Sequence, residues 1–307
     1  MTHDENIIVD ALPPFSFDLS CEIFSDGDRQ IRRYENGQFW QVIRVNGKLF
    51  LATVETASTV DKPKVNVELK SDATITMEDR KQVATKINAL FSLDVDLNPF
   101  YETVQDDKIM TAITHRLWGL KSPTTATVFE ALVDAIVEQQ ISIKVARTLE
   151  TRITKNFGDA LNVDGDVYYV HPTPQRLSTV SIEELRGCGL SFRKAEYIKG
   201  AATLIAEGKL DLEKFHGYKS AEQIIKELDE IRGIGVWTAE FTMLRGLQRL
   251  EALPADDLGL RRVISRYYRN GEMVQSAEAR RIAESWGDWK GLAAYYLVMA
   301  DAKDIKL

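Results

Sequence analysis

The sequence predicts an α+β protein, in which an N-terminal antiparallel β-sheet with one helix precedes an all-helical region. Two observations support this prediction. Apolar residues alternate with polar ones over roughly the first hundred residues, and after Asn98-Pro99 they recur with the helical period of 3.6. We therefore predict a sheet-and-helix domain over residues 1–105 and an all-α domain over residues 106–307. A chain of 307 residues, 44% hydrophobic and 28% charged, is long enough for two ordinary globular domains.

The N-terminal part carries the signals of strands and hairpins. Alternating apolar residues over 15–19 predict a first strand, and those over 65–69 predict a later one. Asn36-Gly37 and Asn46-Gly47 each separate apolar runs. Asn-Gly is the strongest local signal for a two-residue hairpin, because both central residues need a positive φ. A capping box that starts at Thr76 then predicts a helix.

The remaining two-thirds of the chain carries helical signals alone. An apolar stripe over 128–137 predicts one helix, and the next helices begin at residues whose side chains commonly cap helix N-termini. No strand alternation interrupts this series, so residues 106–307 are predicted to be helical throughout. The predicted caps are Ser142, Thr173 (followed by Pro174), Ser181, Ser191 and Ser220.

Composition excludes several classes of protein. Two cysteines, Cys21 and Cys188, cannot build a disulfide framework, a four-cysteine zinc site or a four-cysteine iron–sulfur cluster, and this predicts a reducing, cytoplasmic setting. No apolar run reaches the ~18 residues of a membrane span, and the acidic N-terminus has no signal segment, so no membrane partner is expected. The four histidines have no metal-ligand spacing, so no metal site is predicted. No nucleotide-binding glycine string occurs, so no nucleotide-driven step is expected.

The net charge of −7 is unevenly distributed along the chain. Residues 1–105 hold 11 Lys and Arg against 17 Asp and Glu, a net of −6, whereas residues 106–307 hold 28 against 29, a net of −1. The second part is therefore near neutral. Charge alone neither establishes nor excludes a nucleic-acid partner.

The most specific local signal is residues 228–239, LDEIRGIGVWTA, in which Gly233 and Gly235 separate two predicted helices. The glycines allow a tight reversal and remove the Cβ atoms that would keep a ligand away from the backbone. Free N–H groups at the start of the second helix, from Val236 to Thr238, would form an anion site able to hold a DNA phosphate without a lysine. The alternative is that the glycines only end one helix and turn the chain.

The hairpin segment resembles the helix-hairpin-helix motif of the DNA glycosylase superfamily, in which an apolar–x–Gly–apolar–Gly–x–x–Thr–Ala string joins two helices. Within it, the chain is similar to the 3-methyladenine DNA glycosylase II branch, through its leading sheet domain, Trp237, and segments 138–142 and 189–198. The resemblance covers nearly the whole chain. It implies a base-excision-repair hydrolase that flips alkylated purines out of duplex DNA and cleaves their N-glycosidic bond.

The resemblance also implies a catalytic aspartate shortly after the second helix of the motif. The pattern Asp–x–x–apolar–Arg places that residue at Asp257, where apolar residues predict a new helix. A carboxylate at a helix N-terminus is held ionised and would stabilise the positive charge that develops on the sugar. Asp256 is then expected to be the cap or a structural hydrogen-bond partner. Plain N-capping is the alternative for the pair.

Trp237 distinguishes the branches of the superfamily. Members that also cut the DNA backbone carry a lysine there, two residues after the second glycine, which forms a Schiff base with the sugar. Tryptophan cannot do so, and the resemblance therefore implies a monofunctional enzyme that uses water as nucleophile. Trp237 and Phe241 lie four residues apart on one helix face and are candidates for a pocket that stacks on a cationic base. Core packing is the alternative, and Tyr295 and Tyr296 are further candidates.

Other assignments also follow from the resemblance. Gln140 matches the position that wedges into the duplex, often a leucine, and an ordinary helix-corner glutamine is the alternative. Arg193 and Lys194 are candidates for phosphate contacts or simply solvated charges. The expected partner is double-stranded DNA with damaged bases, bound by a monomer in the cytoplasm or on the nucleoid. No cofactor is expected, apart from a monovalent cation at the hairpin carbonyls.

Two alternative functions stay open at this point. One is an oxidised-purine glycosylase of the 8-oxoguanine type, which also joins a sheet domain to a helical one but normally carries the hairpin lysine. The other is a non-catalytic helix-hairpin-helix DNA-binding protein, in which Asp257 would only cap its helix. Such a binding protein needs neither Trp237 nor an aspartate after the next loop, and this chain has both.

Overall fold

The computed structural model describes residues 2–307. Its N-terminal part is a five-stranded, fully antiparallel sheet with the strand order β1-β5-β4-β3-β2. The strands are β1 (His3–Asp10), β2 (Arg32–Glu35), β3 (Gln38–Val45), β4 (Lys48–Thr56) and β5 (Lys64–Ser71). Both predicted hairpins are confirmed. Asn36-Gly37 joins β2 to β3 and Asn46-Gly47 joins β3 to β4, and all four residues have a positive φ.

The prediction of a strand at residues 15–19 was wrong. Phe17–Cys21 form the short helix α1, which continues into a 3₁₀ turn at Glu22–Phe24. Five residues are too few to establish a strand. Phe15 lies before the helix and Phe17 begins it, so both are buried without alternating along one strand. The first strand, β1, was missed because it lies at the sheet edge, where only one of its residues is buried.

Helix α2 (Met77–Leu90) packs its buried face against the sheet, as predicted. The predicted capping box is present: the Thr76 hydroxyl accepts a hydrogen bond from the Asp79 backbone N–H, and the Asp79 carboxylate accepts one from the Thr76 N–H. The box satisfies two backbone donors at the helix start. It therefore fixes where α2 begins beside the sheet.

Helices make up most of the rest of the chain, and the predicted fold class is confirmed. Each of the five predicted caps accepts a backbone hydrogen bond at its helix start. No helix within residues 2–307 is long and apolar enough to cross a membrane. The helices are α3 (Asn98–Thr103), α4 (Lys108–Arg116), α5 (Val128–Glu138), α6 (Ile143–Phe157), α7 (Pro174–Thr179), α8 (Ile182–Gly187), α9 (Phe192–Ala206), α10 (Ala221–Asp229), α11 (Val236–Gly246), α12 (Leu258–Tyr268), α13 (Ser276–Ala283) and α14 (Lys290–Ala302).

A two-stranded antiparallel hairpin interrupts the helices, so the prediction of an all-helical region 106–307 was wrong for this segment. The strands are β6 (Asp159–Val163) and β7 (Asp166–Val170), joined by Asp164-Gly165 with positive φ at both residues. Asp-Gly between two short runs was the sequence signal that the prediction overlooked. The hairpin covers the first sheet through Leu161, Val163 and Val170, which pack on Val42 and Leu51.

Two helical cores lie beside the sheet core. One joins α5 and α6 to α9, α10 and α11, and the other joins α3 and α4 to α12, α13 and α14. The buried Lys121 connects the start of the helical part to the sheet part by hydrogen bonds. Its Nζ donates to the carbonyls of Leu12 (2.9 Å) and Leu93 (3.0 Å) and lies over the Phe15 ring.

Candidate active site

The predicted hairpin is present between α10 and α11, and its two glycines have different roles. Gly233 has φ +90°, and a Cβ there would lie 2.1 Å from the Tyr197 ring, so only glycine fits. Gly235 is the N-cap of α11 with φ −97°, and a Cβ there would meet nothing within 4 Å. The tight reversal therefore depends on Gly233, whereas Gly235 has an extended backbone that any residue can adopt. Gly235 instead leaves open space in front of the helix.

The start of α11 has the features of an anion site. Its N-cap is a glycine, so no side chain caps the first N–H groups. Gly235 and Val236 are exposed, and Val236 retains 42% of its accessible surface. Thr238 is buried, so its side chain does not belong to this surface. The positive end of an eleven-residue helix thus faces solvent beside an open glycine.

The predicted helix corner separates α5 from α6. Gln140 is exposed there and has φ +58°, the left-handed region that non-glycine residues seldom occupy. Its role as a duplex wedge remains a prediction. Two apolar side chains that sequence reasoning missed lie just beyond it, Ile143 at 55% and Val145 at 48% exposure. Exposed apolar groups beside an exposed corner often mark a contact surface.

Residue Gln139 connects this corner to the hairpin. Its Nε2 donates to the Gly233 carbonyl (3.0 Å) and to the Thr238 Oγ1 (2.9 Å). Lys194 is not a merely solvated charge, because its Nζ donates to the carbonyls of Val137 (2.8 Å) and Gln139 (2.6 Å) at the end of α5. A phosphate contact of Lys194 stays a prediction. Partial burial lowers the pKa of Lys194. The corner and the hairpin are therefore one bonded unit.

The structure brings the two candidate pocket aromatics together. The rings of Trp237 and Phe241 stack with centroids 5.1 Å apart, and both side chains are half-buried. The guanidinium of Arg245 lies 5.4 Å from the Phe241 ring centroid and donates to Glu138 at 2.7 Å. The buried Nε1 of Trp237 has no partner among residues 2–307. A buried N–H without a partner is unusual and is suited to a ligand or a water molecule.

A buried acidic group beside this aromatic pair was missed by sequence reasoning. Burial and the charge of Glu150 raise the pKa of Asp134, whereas burial and Glu138 raise the pKa of Glu150 to about 7. The Oε1 atom of Glu150 has no hydrogen-bond partner among the described residues. The positive charge of Arg245 opposes both shifts but has a smaller effect than burial. Acidic residues spaced by four in the apolar helix α5 were the available signal.

The tyrosines of the last helix differ from each other. Tyr296 is fully buried and its hydroxyl donates to the Leu120 carbonyl at 2.8 Å, which makes it a core residue. The hydroxyl of Tyr295 is also buried but has no partner within residues 2–307, and burial raises its pKa. Arg245 acts on Tyr295 through its charge, so Tyr295 belongs to the surroundings of the acidic group.

Asp257 is itself the N-cap of α12, so the expectation that Asp256 is the cap was wrong. The Oδ1 of Asp257 accepts a hydrogen bond from the Leu260 N–H at 2.7 Å, and the residue is half-buried. Gly259 keeps this space free, because a Cβ there would lie 3.0 Å from the same oxygen. The carboxylate is therefore held in one position at the start of α12, the positive end of the helix dipole.

Asp256 belongs to an ion-pair group that anchors the loop before α12. Its carboxylate lies 3.8 Å from the guanidinium of Arg280 and is 54% exposed. Arg280 makes two short bonds to Glu240 of α11, at 2.7 and 3.0 Å, and donates to the Leu253 carbonyl. The contact between Asp256 and Arg280 is too long for a hydrogen bond, so the second expectation, a structural hydrogen-bond partner, was also wrong. The group ties the Asp257 loop to the helix that carries Trp237 and Phe241.

Comparison with known proteins defines the class. The family model for HhH-GPD superfamily base excision DNA repair proteins matches residues 133–288, half of the chain, and this span contains the corner, the hairpin and Asp257. The chain belongs to this superfamily. It is a DNA glycosylase, a hydrolase of the N-glycosidic bond in base excision repair, and its partner is DNA. The predicted family is therefore confirmed.

The relatives include several named for 3-methyladenine. The chain is 29% identical over 301 residues to the DNA-3-methyladenine glycosylase of Bacillus subtilis, covering 96% of this chain and 97% of that one. It is 32% identical over 179 residues to DNA-3-methyladenine glycosylase 2 of Escherichia coli, covering 58% and 60%. The solved 3-methyladenine DNA-glycosylase of Archaeoglobus fulgidus matches with a TM-score of 0.85 and 27% identity over 98% of this chain and 100% of that one.

An 8-oxoguanine glycosylase/lyase of Clostridium acetobutylicum, in complex with double-stranded DNA, also has this fold. It matches with a TM-score of 0.77 and 22% identity, covering 99% of each chain. Fold similarity at this level of identity does not separate the alkylated-base and oxidised-base chemistries. That separation depends on the residues of the site.

Proposed function

We propose that this protein is a monofunctional DNA glycosylase that removes alkylated purines of the 3-methyladenine type from duplex DNA, with water as nucleophile. The observation that supports it is Trp237, which occupies the lysine position of the backbone-cutting enzymes and stacks on Phe241. The full-length similarity to a DNA-3-methyladenine glycosylase supports the same substrate class.

The aromatic pair suits a purine alkylated at N3 or N7. Such a base carries a positive charge, and its glycosidic bond is already weak, so it needs little protonation to leave. A cationic ring gains from stacking on a π-face, in addition to dispersion. The flipped base would therefore stack on Trp237 and Phe241.

The fixed carboxylate of Asp257 suits the sugar. As the base departs with the bonding electron pair, positive charge develops on the deoxyribose, and a preorganised anion stabilises that transition state more than the ground state. Water then adds to the sugar carbon and loses its proton, which Asp257 can accept. The products are a free base and an abasic strand whose backbone is intact.

The test is a base-release assay on methylated duplex DNA, with a matched duplex containing 8-oxoguanine. We expect release of free 3-methyladenine or 7-methylguanine, no strand cut without alkali, and no covalent adduct after borohydride trapping. A trapped adduct would overturn the monofunctional mechanism. Release of 8-oxoguanine alone would favour the oxidised-base alternative, and DNA binding without any base release would favour the non-catalytic one.

A further inference from the structure

The side chain of Gln139 holds both ends of the hairpin at once. It lies one residue before the exposed Gln140, at the end of α5. Its single amide nitrogen donates to the carbonyl of Gly233, before the turn, and to the hydroxyl of Thr238, in the first turn of α11. Gly233 and Thr238 flank the proposed phosphate-binding backbone. One group therefore links the exposed corner to both sides of the anion site.

Helix α9 supports the same two elements from behind. Lys194 donates to the last carbonyls of α5, which have no partner within their own helix. One turn further along α9, the Tyr197 ring fills the space that a Cβ of Gly233 would need, and Glu196 pairs with Arg232 at 3.3 Å. One helix thus contacts the corner through one residue and the hairpin through two others.

The corner needs such support because its backbone is strained. Gln140 lies in the left-handed region with φ +58°, a conformation that persists only where the surroundings impose it. The two hydrogen bonds of Gln139 and the two of Lys194 fix the residues directly before it. The position of Gln140 relative to the hairpin is therefore set before any DNA binds.

We infer that Gln139 is a positioning residue, supported by Lys194, which holds Gln140 at a fixed distance from the phosphate-binding hairpin. Binding of the hairpin to the backbone then drives Gln140 into the duplex, so that phosphate-binding energy is used to expel the base. The inference rests on the proposed function, because it takes Gln140 as the residue that enters the helix stack.

A positioning role differs from a structural one in its dependence on the substrate. A damaged base that is paired must be pushed out of the duplex, whereas one in a single-nucleotide bulge is largely unstacked already. Loss of positioning should therefore slow excision of the paired lesion much more than that of the bulged one. Loss of fold stability would lower both rates by the same factor.

The experiment compares single-turnover excision of 7-methylguanine from paired and bulged duplexes. Gln139→Glu keeps the side-chain shape but cannot donate to the Gly233 carbonyl, and Gln139→Met keeps the length without hydrogen bonds. We expect each to lose about tenfold on the paired lesion and about twofold or less on the bulged one. Affinity of Gln139→Met for undamaged DNA should fall less than its rate on the paired lesion, because the hairpin backbone is retained. Gln139→Glu also places a negative charge near the proposed phosphate site, and this charge affects the paired and bulged duplexes alike.

Lys194→Met tests the support without changing Gln139. Its matched control is Lys199→Met, since Lys199 lies on the same helix and donates to the Val180 carbonyl at 2.6 Å, away from the corner. Lys194→Met should show the same paired-lesion defect, and Lys199→Met should not. Fluorescence of 2-aminopurine beside the lesion reports unstacking directly and should fall in the Gln139 and Lys194 variants.

Equal losses on paired and bulged lesions, or equal effects of the two lysine variants, would overturn the positioning role. An inactive wild type would instead overturn the proposed function. In that event the 2-aminopurine signal decides the inference on its own: wild-type unstacking that persists in Gln139→Glu refutes it, and its loss supports it.

Discussion

Replacement of Asp257 by asparagine should abolish base excision while leaving the fold intact. Asparagine is as good an N-cap as aspartate, so the 2.7 Å bond from the Leu260 N–H can be kept. The loss is the charge–dipole interaction at the start of α12, about 0.3–1 kcal/mol of unfolding free energy. A carboxylate about 4 Å from the sugar cation, at an effective dielectric constant of about 20, would contribute about 4 kcal/mol. Its removal corresponds to about a thousandfold in rate.

Asp256→Asn is the matched control for this prediction. It removes the same charge one residue away, where the contact with Arg280 is long (3.8 Å) and exposed, so its cost is at most about 1 kcal/mol. Glu240 continues to hold Arg280. Single-turnover release of 3-methyladenine and thermal unfolding should be measured for both variants. Asp257→Asn with a rate within about tenfold of wild type would refute the assignment, and an inactive Asp256→Asn beside an active Asp257→Asn would move it by one residue.

Three further predictions concern the hairpin, the pocket and the junction with the sheet. Gly235→Ala should fold normally, because its Cβ enters open space, yet weaken binding to damaged and undamaged DNA alike in titrations; an unchanged affinity would contradict the phosphate site. Trp237→Ala should slow excision of cationic 3-methyladenine about 5–30-fold more than that of neutral hypoxanthine, and equal losses would make the indole generic packing. Burial lowers the pKa of Lys121 to about 8, below its value in the unfolded chain. From about pH 8 to about pH 10 the unfolded chain therefore binds more protons than the folded one, so the free energy of unfolding of the wild type should rise with pH. In urea unfolding, Lys121→Met should lack that rise of up to about 3 kcal/mol. Parallel plots of unfolding free energy against pH for wild type and variant would refute this role of Lys121.

The elements that could be predicted from the sequence are those determined by their own neighbours. Asn36-Gly37 and Asn46-Gly47 form hairpins because both residues of each pair accept a positive φ. Gly233 indicated the turn between α10 and α11 for a similar local reason, since its φ is positive, whereas the anion site at Gly235 stays a prediction. The strand predicted at 15–19 failed because burial of Phe15 and Phe17 is decided by the sheet packed beside them, which no short pattern reveals.

The contacts that organise the site could not be predicted in this way. Gln139 bonds residues 94 and 99 positions further along the chain, and Lys194 bonds a carbonyl 57 positions before it. Sequence reasoning therefore concentrated on the exposed Gln140 and assigned Lys194 to phosphate or solvent. The raised pKa of Glu150 likewise depends on burial among side chains of other elements. Such properties exist only once the tertiary fold has formed.

The acidic composition of the chain is compatible with its DNA partner, because most of the excess negative charge lies outside the part of the chain that carries the hairpin. Six of the seven excess negative charges belong to residues 1–105, and the hairpin lies in the nearly neutral remainder. There the proposed phosphate site consists of backbone N–H groups at the start of α11, which a count of lysines and arginines does not register. Of the carboxylates near the corner, Glu138 is paired with Arg245. On this proposal, local geometry rather than net charge sets the electrostatics of DNA binding.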